Sequence, residues 1–469
     1  MTGPPNGRMA QGLDLFDIAI AGGGPAGAVA AILLARAGFR VGIATLPASR
    51  ERIEGLSPRV AAILRAHRIA LDGVAPPSQR RAIWGDLRGD QNVEHVVRRA
   101  RFDNGLLAQA RREGVRLFEG AIASVLPETG MIRLADGREL RAGLLFEARG
   151  RRAPRLPRSG TRRGGWTGPD TISMAGFVTR PDGHDPGSVI EARPEGWTWQ
   201  ARLADGRDWM QVVGDASALA NLRGAQARVS RLWQHVLGAG APGSPGIAPP
   251  ARPVVSAAAS RLNAPVLDLR CPRLGDAAVA LDPLSGHGLF WAISSALMAL
   301  PLARAIFGGK TDLARAFYRD RVVETFWRQA RIGRDFYATS GQTGGFWRAR
   351  RLWPDTEPAH PALATPRLEP RVLLRNGELG RGEVLVTSAD PGGAAFVMGQ
   401  EIAPVLRAIR GRPLPAAAVF HQRYLPQSPA DVAERVHGWL IDRGLGQGPT
   451  IRFRTFDEEK STCENKQAV

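Results

Sequence analysis

The stretch from Phe16 to Ala44 changes its hydrophobic period twice. Phe16 to Ala21 is a near-continuous apolar run of strand length, Ala28 to Ala37 is apolar on all sides as a buried helix is, and Val41 to Ala44 is apolar again. Gly38 ends the helix between them. The prediction is strand, loop, helix, strand. Asp17, Arg36, Arg40 and the glycine run argue against a membrane span over residues 16–46. Further along, "TISMAGFVTR", "SVIEARP", "WTWQARL" and "WMQVVGD" read as strands of a mainly antiparallel sheet, with "ALANLRGAQARVSRLWQHVL" as its helix.

The last hundred residues change pattern again. "RVLLRNGELGRGEVLVTS" predicts a hairpin, "GQEIAPVLRAIRG" a helix closed by Gly411, and "SPADVAERVHGWLIDRGL" a helix with Ser428 as N-cap and Gly444 as stop. Strand pairs with short helices in that order predict a winged-helix-like α+β unit over 371–446. The polar tail, 447–469, is expected to be disordered. Glycine- and proline-rich segments at 152–170 and 238–253 mark crossings between domains.

Composition narrows the function classes. The 469 residues carry a formal charge of +19, yet Lys310, Lys460 and Lys466 are the only lysines among 63 basic residues. The arginines are spread along the chain with no compact recognition motif, so the expected partner is not nucleic acid. Cys271 and Cys463 are the only cysteines, so neither a disulfide framework nor a metal site is expected. The chain has no recognisable signal peptide pattern, so a cytoplasmic protein without a membrane role is expected.

The loop in "IAIAGGGPAGAVAA" supplies G-x-G-x-x-G through Gly22, Gly24 and Gly27, between the first strand and its helix. The first glycine turns the chain, the second lets a pyrophosphate approach and the third lets helix and strand pack closely, with Ala26 and the helix N-terminus facing the phosphates. At the end of the second strand stands Thr45, where an acidic residue usually holds the adenosine ribose. Glu51 or Glu54 stands after the following loop. A second segment, "RLGDAAVALDPLSGHG", contains Asp276, Asp282, Pro283, Gly286, His287 and Gly288. A strand-like approach, "RCPRLGDAAVA", is expected to deliver Asp276, and the glycines to open one long apolar helix running to Phe307.

With both segments in one chain, residues 14–352 resemble the FAD-dependent aromatic hydroxylases and tryptophan halogenases. "RRARFDNGLLAQARREGVRLFEG" is similar to their R-x-x-F-D segment, which implies that Arg99 lies near FAD. "LFEARGRRA" is similar to their D-A-T-G-R sequence, with Arg149 in place of the threonine. "GWTWQARLADGR" resembles their paired-tryptophan motif, which implies substrate-side roles for Trp197 and Trp199. The resemblance implies FAD as cofactor, held by Gly22, Gly24, Ala26, Gly27, Thr45, Arg99, Asp276, Pro283, Gly286 and Gly288, with Asp282 and His287 as catalytic candidates. It implies an α/β fold. A Rossmann-like FAD-binding domain would span 14–170 and 263–352, with 51–95 on the substrate side, around an antiparallel-sheet substrate domain at 171–262.

Tryptophan halogenases use a lysine near the substrate and a glutamate where this chain has Asp282. No lysine precedes Lys310, and Arg202 stands where the tryptophan motif has proline. The "DP-x-x-G-x-G" turn is shared with geranylgeranyl reductases, which the tryptophan pair fits poorly. The C-terminal unit makes the chain most similar to the flavoproteins that oxygenate a tryptophan inside another protein during tryptophylquinone maturation of quinohemoprotein amine dehydrogenase. That resemblance implies a flavin C4a-hydroperoxide formed with O2, one or two hydroxylations, a crosslinked small-subunit precursor as substrate, and a radical-SAM crosslinking enzyme as companion. A small-molecule aromatic hydroxylase, a halogenase and a flavin-bearing recruitment protein without turnover stay open as alternatives.

Overall fold

Leu15–Ala21 (β1) pairs in parallel with both Val41–Thr45 (β2) and Glu139–Glu147 (β9). Such apolar runs belong inside a parallel sheet covered by helices, and Ile18 to Ala21 and all of β2 are buried. The computed structural model describes residues 15–154, 167–179, 186–219, 224–238, 247–360, 363, 365–447 and 451–453. Arg116–Glu119 (β6), Ile122–Leu126 (β7) and Met131–Leu134 (β8) complete a six-stranded sheet in the order β6-β2-β1-β9-β8-β7. The helix after β1, Pro25–Arg36 (α1), starts three residues earlier than its apolar run predicts, because Pro25 is well suited to a first helical turn. Arg99–Arg112 (α3) packs against it.

The second segment reaches the first loop by running beside β9. Leu145 N–H donates to Arg270, Glu147 N–H to Pro272, and Leu274 N–H back to Glu147. The expected strand through "RCPRLGDAAVA" does not form as such. Arg273 makes a single parallel bridge to Glu147 and Val279–Ala280 (β16) pairs with Arg261–Leu262 (β15), while Gly275–Ala277 between them makes a 3-10 turn. Gly275 adopts φ +56, its N–H donates to Ser295 Oγ, and its carbonyl accepts from Trp291 Nε1. Side chains thus take the backbone groups a strand would need.

The long apolar helix is also two helices, Gly288–Leu297 (α5) and Ala299–Phe307 (α6). Pro301 has no N–H to give the carbonyl of Leu297, so the ladder breaks there. The stretch Gly288–Phe307 is long and apolar enough to cross a membrane, but most of it is buried inside the fold, as in a core helix.

The second sheet has eight strands, in the order β14-β10-β13-β12-β11-β4-β5-β3. They are Val254–Ala257 (β14), Thr171–Val178 (β10), Asp208–Asp215 (β13), Gly196–Arg202 (β12), Gly187–Arg193 (β11), Val74–Trp84 (β4), Leu87–Arg98 (β5) and Ile53–Leu56 (β3). All neighbours are antiparallel except β11 and β4. The helices Pro58–Ala66 (α2) and Ala225–Leu237 (α4) contact this sheet through β5 and through β13 and β10. One of its cores gathers Trp84, Trp197, Trp199 and Trp209 with Tyr337, Phe346 and Trp347. The last three come from Thr311–Ala338 (α7) and Gly345–Arg351 (α8).

Two compact units result. The first comprises residues up to Ala303 together with Arg321–Thr356, and the second Arg304–Asp320 together with Glu357–Val469. In the second unit Arg367–Arg375 (β17) and Glu378–Val386 (β18) form the predicted hairpin, and Phe396–Val397 (β19) pairs with Gln400–Glu401 (β20). Arg452–Phe453 (β21) pairs in parallel with β17, so that part of the expected tail is sheet; residues 454–469 lie outside the described ones. Ile402–Ile409 (α9) ends on Arg410 in the left-handed conformation, one residue before the predicted Gly411. Ala417–Tyr424 (α10) is a helix the pattern did not announce. Ala430–Asp442 (α11) begins after Pro429, which stands at the N-cap in place of the expected Ser428.

Candidate active site

The glycines of the first loop divide by what surrounds them. A Cβ at Gly27 would overlap the carbonyl of Gly22, and one at Gly23 would strike Thr45, so these positions serve close packing. Gly22 itself has φ +110, which favours glycine. Gly24 differs: a Cβ there meets nothing within 4 Å. It is the N-cap of α1, whose first turn has no side-chain cap. Gly286 and Gly288, at the start of α5, likewise border open space. The helix α1 packs on α5, and Ala26 lies buried against Gly275. The two remote segments therefore face one cradle, lined by uncapped helix N-termini suited to phosphate and to developing negative charge.

Thr45 does not project into that cradle as a ribose ligand would. Its Oγ1 accepts from Gly23 N–H at 3.0 Å and donates to the carbonyl of Leu46, fixing the loop. Glu51 is held by Arg98, while Glu54 and Asp103 hold Arg99, with Arg99 to Glu54 at 2.6 Å and Arg99 to Asp103 at 2.9 Å. Burial opposes the ionised form of Glu54, but Arg99 and Arg52 outweigh it and hold the carboxyl below its ordinary range. Beside this cluster lies Asp276, 3.3 Å from Arg151 Nε. Burial raises its pKa, against the pull of Arg151. Arg151 also donates to the carbonyls of Ala259 and Leu281, both at 2.7 Å. It ties the end of the first sheet to the second segment, a role the sequence reading did not assign.

Asp282 caps the 3-10 turn that Pro283 opens, accepting from Leu284 N–H at 2.9 Å. Tyr337 donates its hydroxyl to the same carboxylate, and Trp197 Nε1 donates to that hydroxyl at 3.3 Å. Burial raises the Asp282 carboxyl above its usual range, and burial with the nearby Asp282 charge pushes the Tyr337 phenol well above its own. His287 precedes α5 and is more exposed. Burial of its ring, with the charges of Arg80 and Arg328, lowers its pKa.

Trp197 and Trp199 are almost completely buried in the aromatic core of the second sheet. Trp199 reaches Glu94 at 3.2 Å. Between this sheet and the Ser285–His287 turn lies a cavity of about 140 Å³. The polar residues that border it include Arg80 and Glu94, neither of which the sequence reading singled out. A signal was present: Arg80 has the parity of Ala82 and Trp84 along β4, and Glu94 that of Val96 along β5, so each charged residue shares a face with buried apolar ones.

The arrangement, a phosphate-ready loop joined to a remote turn beneath an aromatic sheet, has close counterparts. The chain is 33% identical to the peptidyl tryptophan dihydroxylase QhpG, essential for tryptophylquinone cofactor biogenesis. That likeness covers 92% of this chain and 99% of that one, with a TM-score of 0.72. The chain belongs to this flavoprotein family. A tryptophan 2-halogenase from Chondromyces crocatus is 28% identical over 377 residues, 71% of this chain and 70% of that protein. The flavin-dependent halogenase CmlS shares the fold, with a TM-score of 0.66 at 18% identity over 95% of this chain and 99% of that one. No family model matches. As a member of the family, the chain is an FAD-dependent monooxygenase. The open space at Gly24, Gly286 and Gly288 fits that cofactor.

Proposed function

We propose that this FAD-dependent monooxygenase hydroxylates the indole of a tryptophan within a protein substrate, twice on the same ring, during tryptophylquinone cofactor formation. The observation that carries the reading is the 33% identity to a peptidyl tryptophan dihydroxylase across 92% of this chain, its C-terminal unit included. The finer reading takes the crosslinked small-subunit precursor of quinohemoprotein amine dehydrogenase as substrate, O2 as co-substrate, the radical-SAM crosslinking enzyme as companion and the cytoplasm as the place. The halogenase alternative is disfavoured because the first 309 residues contain no lysine amine to carry halogen to the ring.

FAD, when bound, supplies the activated oxygen that the electron-rich indole takes up. The chain's own residues bind, orient and exclude water. Gly24 and the start of α1 would hold the pyrophosphate, and Asp276, fixed by Arg151, the sugar-phosphate region. Pro283, Gly286 and Gly288 shape the turn that faces the flavin ring, with Asp282 and Tyr337 holding that turn in place. Arg99 supports the cradle through Glu54, and His287, at the mouth of α5, is placed to move a proton. Trp197 and Trp199 form the wall behind the substrate.

Co-expression with a candidate protein substrate and mass spectrometry of its tryptophan peptides tests the reading. A gain of one or two oxygen atoms on tryptophan is expected, and no chlorinated product from free tryptophan with chloride. Chlorotryptophan in place of oxygenated protein would overturn it.

A further inference from the structure

The cavity between the Ser285–His287 turn and strands β3 to β5 measures about 140 Å³. Cavities of about 150 Å³ hold a single aromatic molecule the size of benzene. Leu56, Phe290 and Leu289 supply apolar wall, Gly286 borders it at the turn before α5, and Arg80 and Glu94 enter from the second sheet.

Glu94 is unevenly engaged. Its Oε1 accepts from Trp199 Nε1 at 3.2 Å and from the Ser188 hydroxyl. Its Oε2 faces Arg80 Nε at 4.0 Å, beyond hydrogen-bond distance, and that Nε is buried without a hydrogen-bond partner. Oε2 packs against Gly55, in the place a side chain there would take, so a Cβ at that position would overlap it and displace the carboxylate. One carboxylate oxygen is thus fixed by two protein donors, while the other accepts no hydrogen bond among the described residues and belongs to a side chain that lines a ring-sized space.

We infer that Glu94 reads the indole N–H of the substrate, accepting it through Oε2 while the Arg80 guanidinium balances the charge. The inference rests on the tryptophan-oxygenase reading above and names the group that selects its substrate. A charge-assisted N–H to carboxylate bond is stronger than a neutral one, and more so away from water. It also draws the indole proton toward the carboxylate and leaves the ring carbons richer in electrons, as attack on an electrophilic oxygen requires. An aromatic ring without an N–H would leave the carboxylate oxygen unpaired, and a site built for a hydrogen bond rejects such a ring.

The test uses the full-length, FAD-loaded enzyme titrated with indole and with 1-methylindole, followed by the difference spectrum of the flavin. Indole is expected to bind about ten-fold tighter or better, a difference of roughly 1.4 kcal/mol. In Glu94→Gln the amide oxygen must stay where Trp199 and Ser188 donate, which brings the amide NH2 to the place of Oε2. The preference for indole is then expected to vanish or reverse. Gly55→Ala should weaken both ligands while the bound flavin stays. Equal binding of the two ligands to the wild type, no saturable binding of either, or an indole preference that survives Glu94→Gln would overturn the assignment. Oxygen gain on a protein tryptophan is measured separately. If discrimination follows Glu94 and no protein tryptophan is oxygenated, the pocket assignment stands and the protein-substrate reading falls; the converse result refutes the pocket alone.

Discussion

The hydroxyl of Tyr337 donates to Asp282 Oδ1 at 3.1 Å and accepts from Trp197 Nε1 at 3.3 Å. One phenol therefore links the aromatic core of the second sheet to the turn that opens α5. The same Oδ1 accepts from Leu284 N–H, so a residue 55 positions away bears on the oxygen that caps the turn.

Tyr337→Phe removes both bonds and leaves the Trp197 N–H buried without a partner. A loss of about 1–3 kcal/mol is expected, the cost of a buried donor left unsatisfied. The midpoint of urea unfolding should fall with its slope unchanged. An unchanged midpoint would show that the turn does not rely on this link.

Gly24 and Gly27 should respond in opposite ways to valine. At Gly24 the protein offers no obstacle, so Gly24→Val should fold with nearly unchanged thermal stability and lose its yellow colour, because the side chain occupies the pyrophosphate's approach. Asp276→Ala should likewise lower the bound flavin. Gly27→Val would press on the carbonyl of Gly22 and should unfold the chain or leave it insoluble. Full flavin stoichiometry in Gly24→Val refutes the cradle.

The raised pKa of Asp282 fixes the sign of a pH effect. A carboxyl whose folded pKa is raised holds its proton better in the native state. The stability it contributes is fully present below the ordinary value near 3.8 and is lost as pH rises through the raised value. Asp282→Asn should therefore gain stability relative to the wild type as pH increases from about 4 to 7, the usual working range for such titrations. Parallel unfolding curves across that range check it, and a gap that narrows with rising pH contradicts it.

Cys271 is buried, and burial, with the charges of Glu147 and Asp268, pushes its thiol up to about 12. The thiolate is the reactive form. A Cys463→Ser variant should show no thiol to a disulfide reagent at pH 8 while native and one thiol once unfolded. Rapid native labelling would mean that the segment beside β9 opens far more readily than its packing allows.

The sequence by itself determined the elements whose signals are local. The strand, glycine loop and helix read between Phe16 and Ala37 follow from apolar periodicity and the spacing of Gly22, Gly24 and Gly27, with the helix start set three residues late, and the order of the later motifs was enough to name the family and the cofactor. The hairpin β17–β18 was legible for the same reason, with Asn376 and Gly377 both at positive φ in its turn. What local pattern left undetermined is whatever depends on a partner far along the chain. The 3-10 turn at Gly275 forms because Ser295 and Trp291 take its backbone groups, and α10 was invisible until Phe420 found the core of the second unit. Thr45 stands where a ribose ligand is usual but spends its hydroxyl on the loop of Gly23, since a strand end and a glycine turn 22 residues away meet there. Glu94, Arg80 and Tyr337 were assigned no role from the sequence, and Arg151 was only the last residue of a motif. They acquire meaning only when sheet register and burial bring charges and hydroxyls within about 3 to 4 Å in a water-poor interior, where each must be paired or is costly.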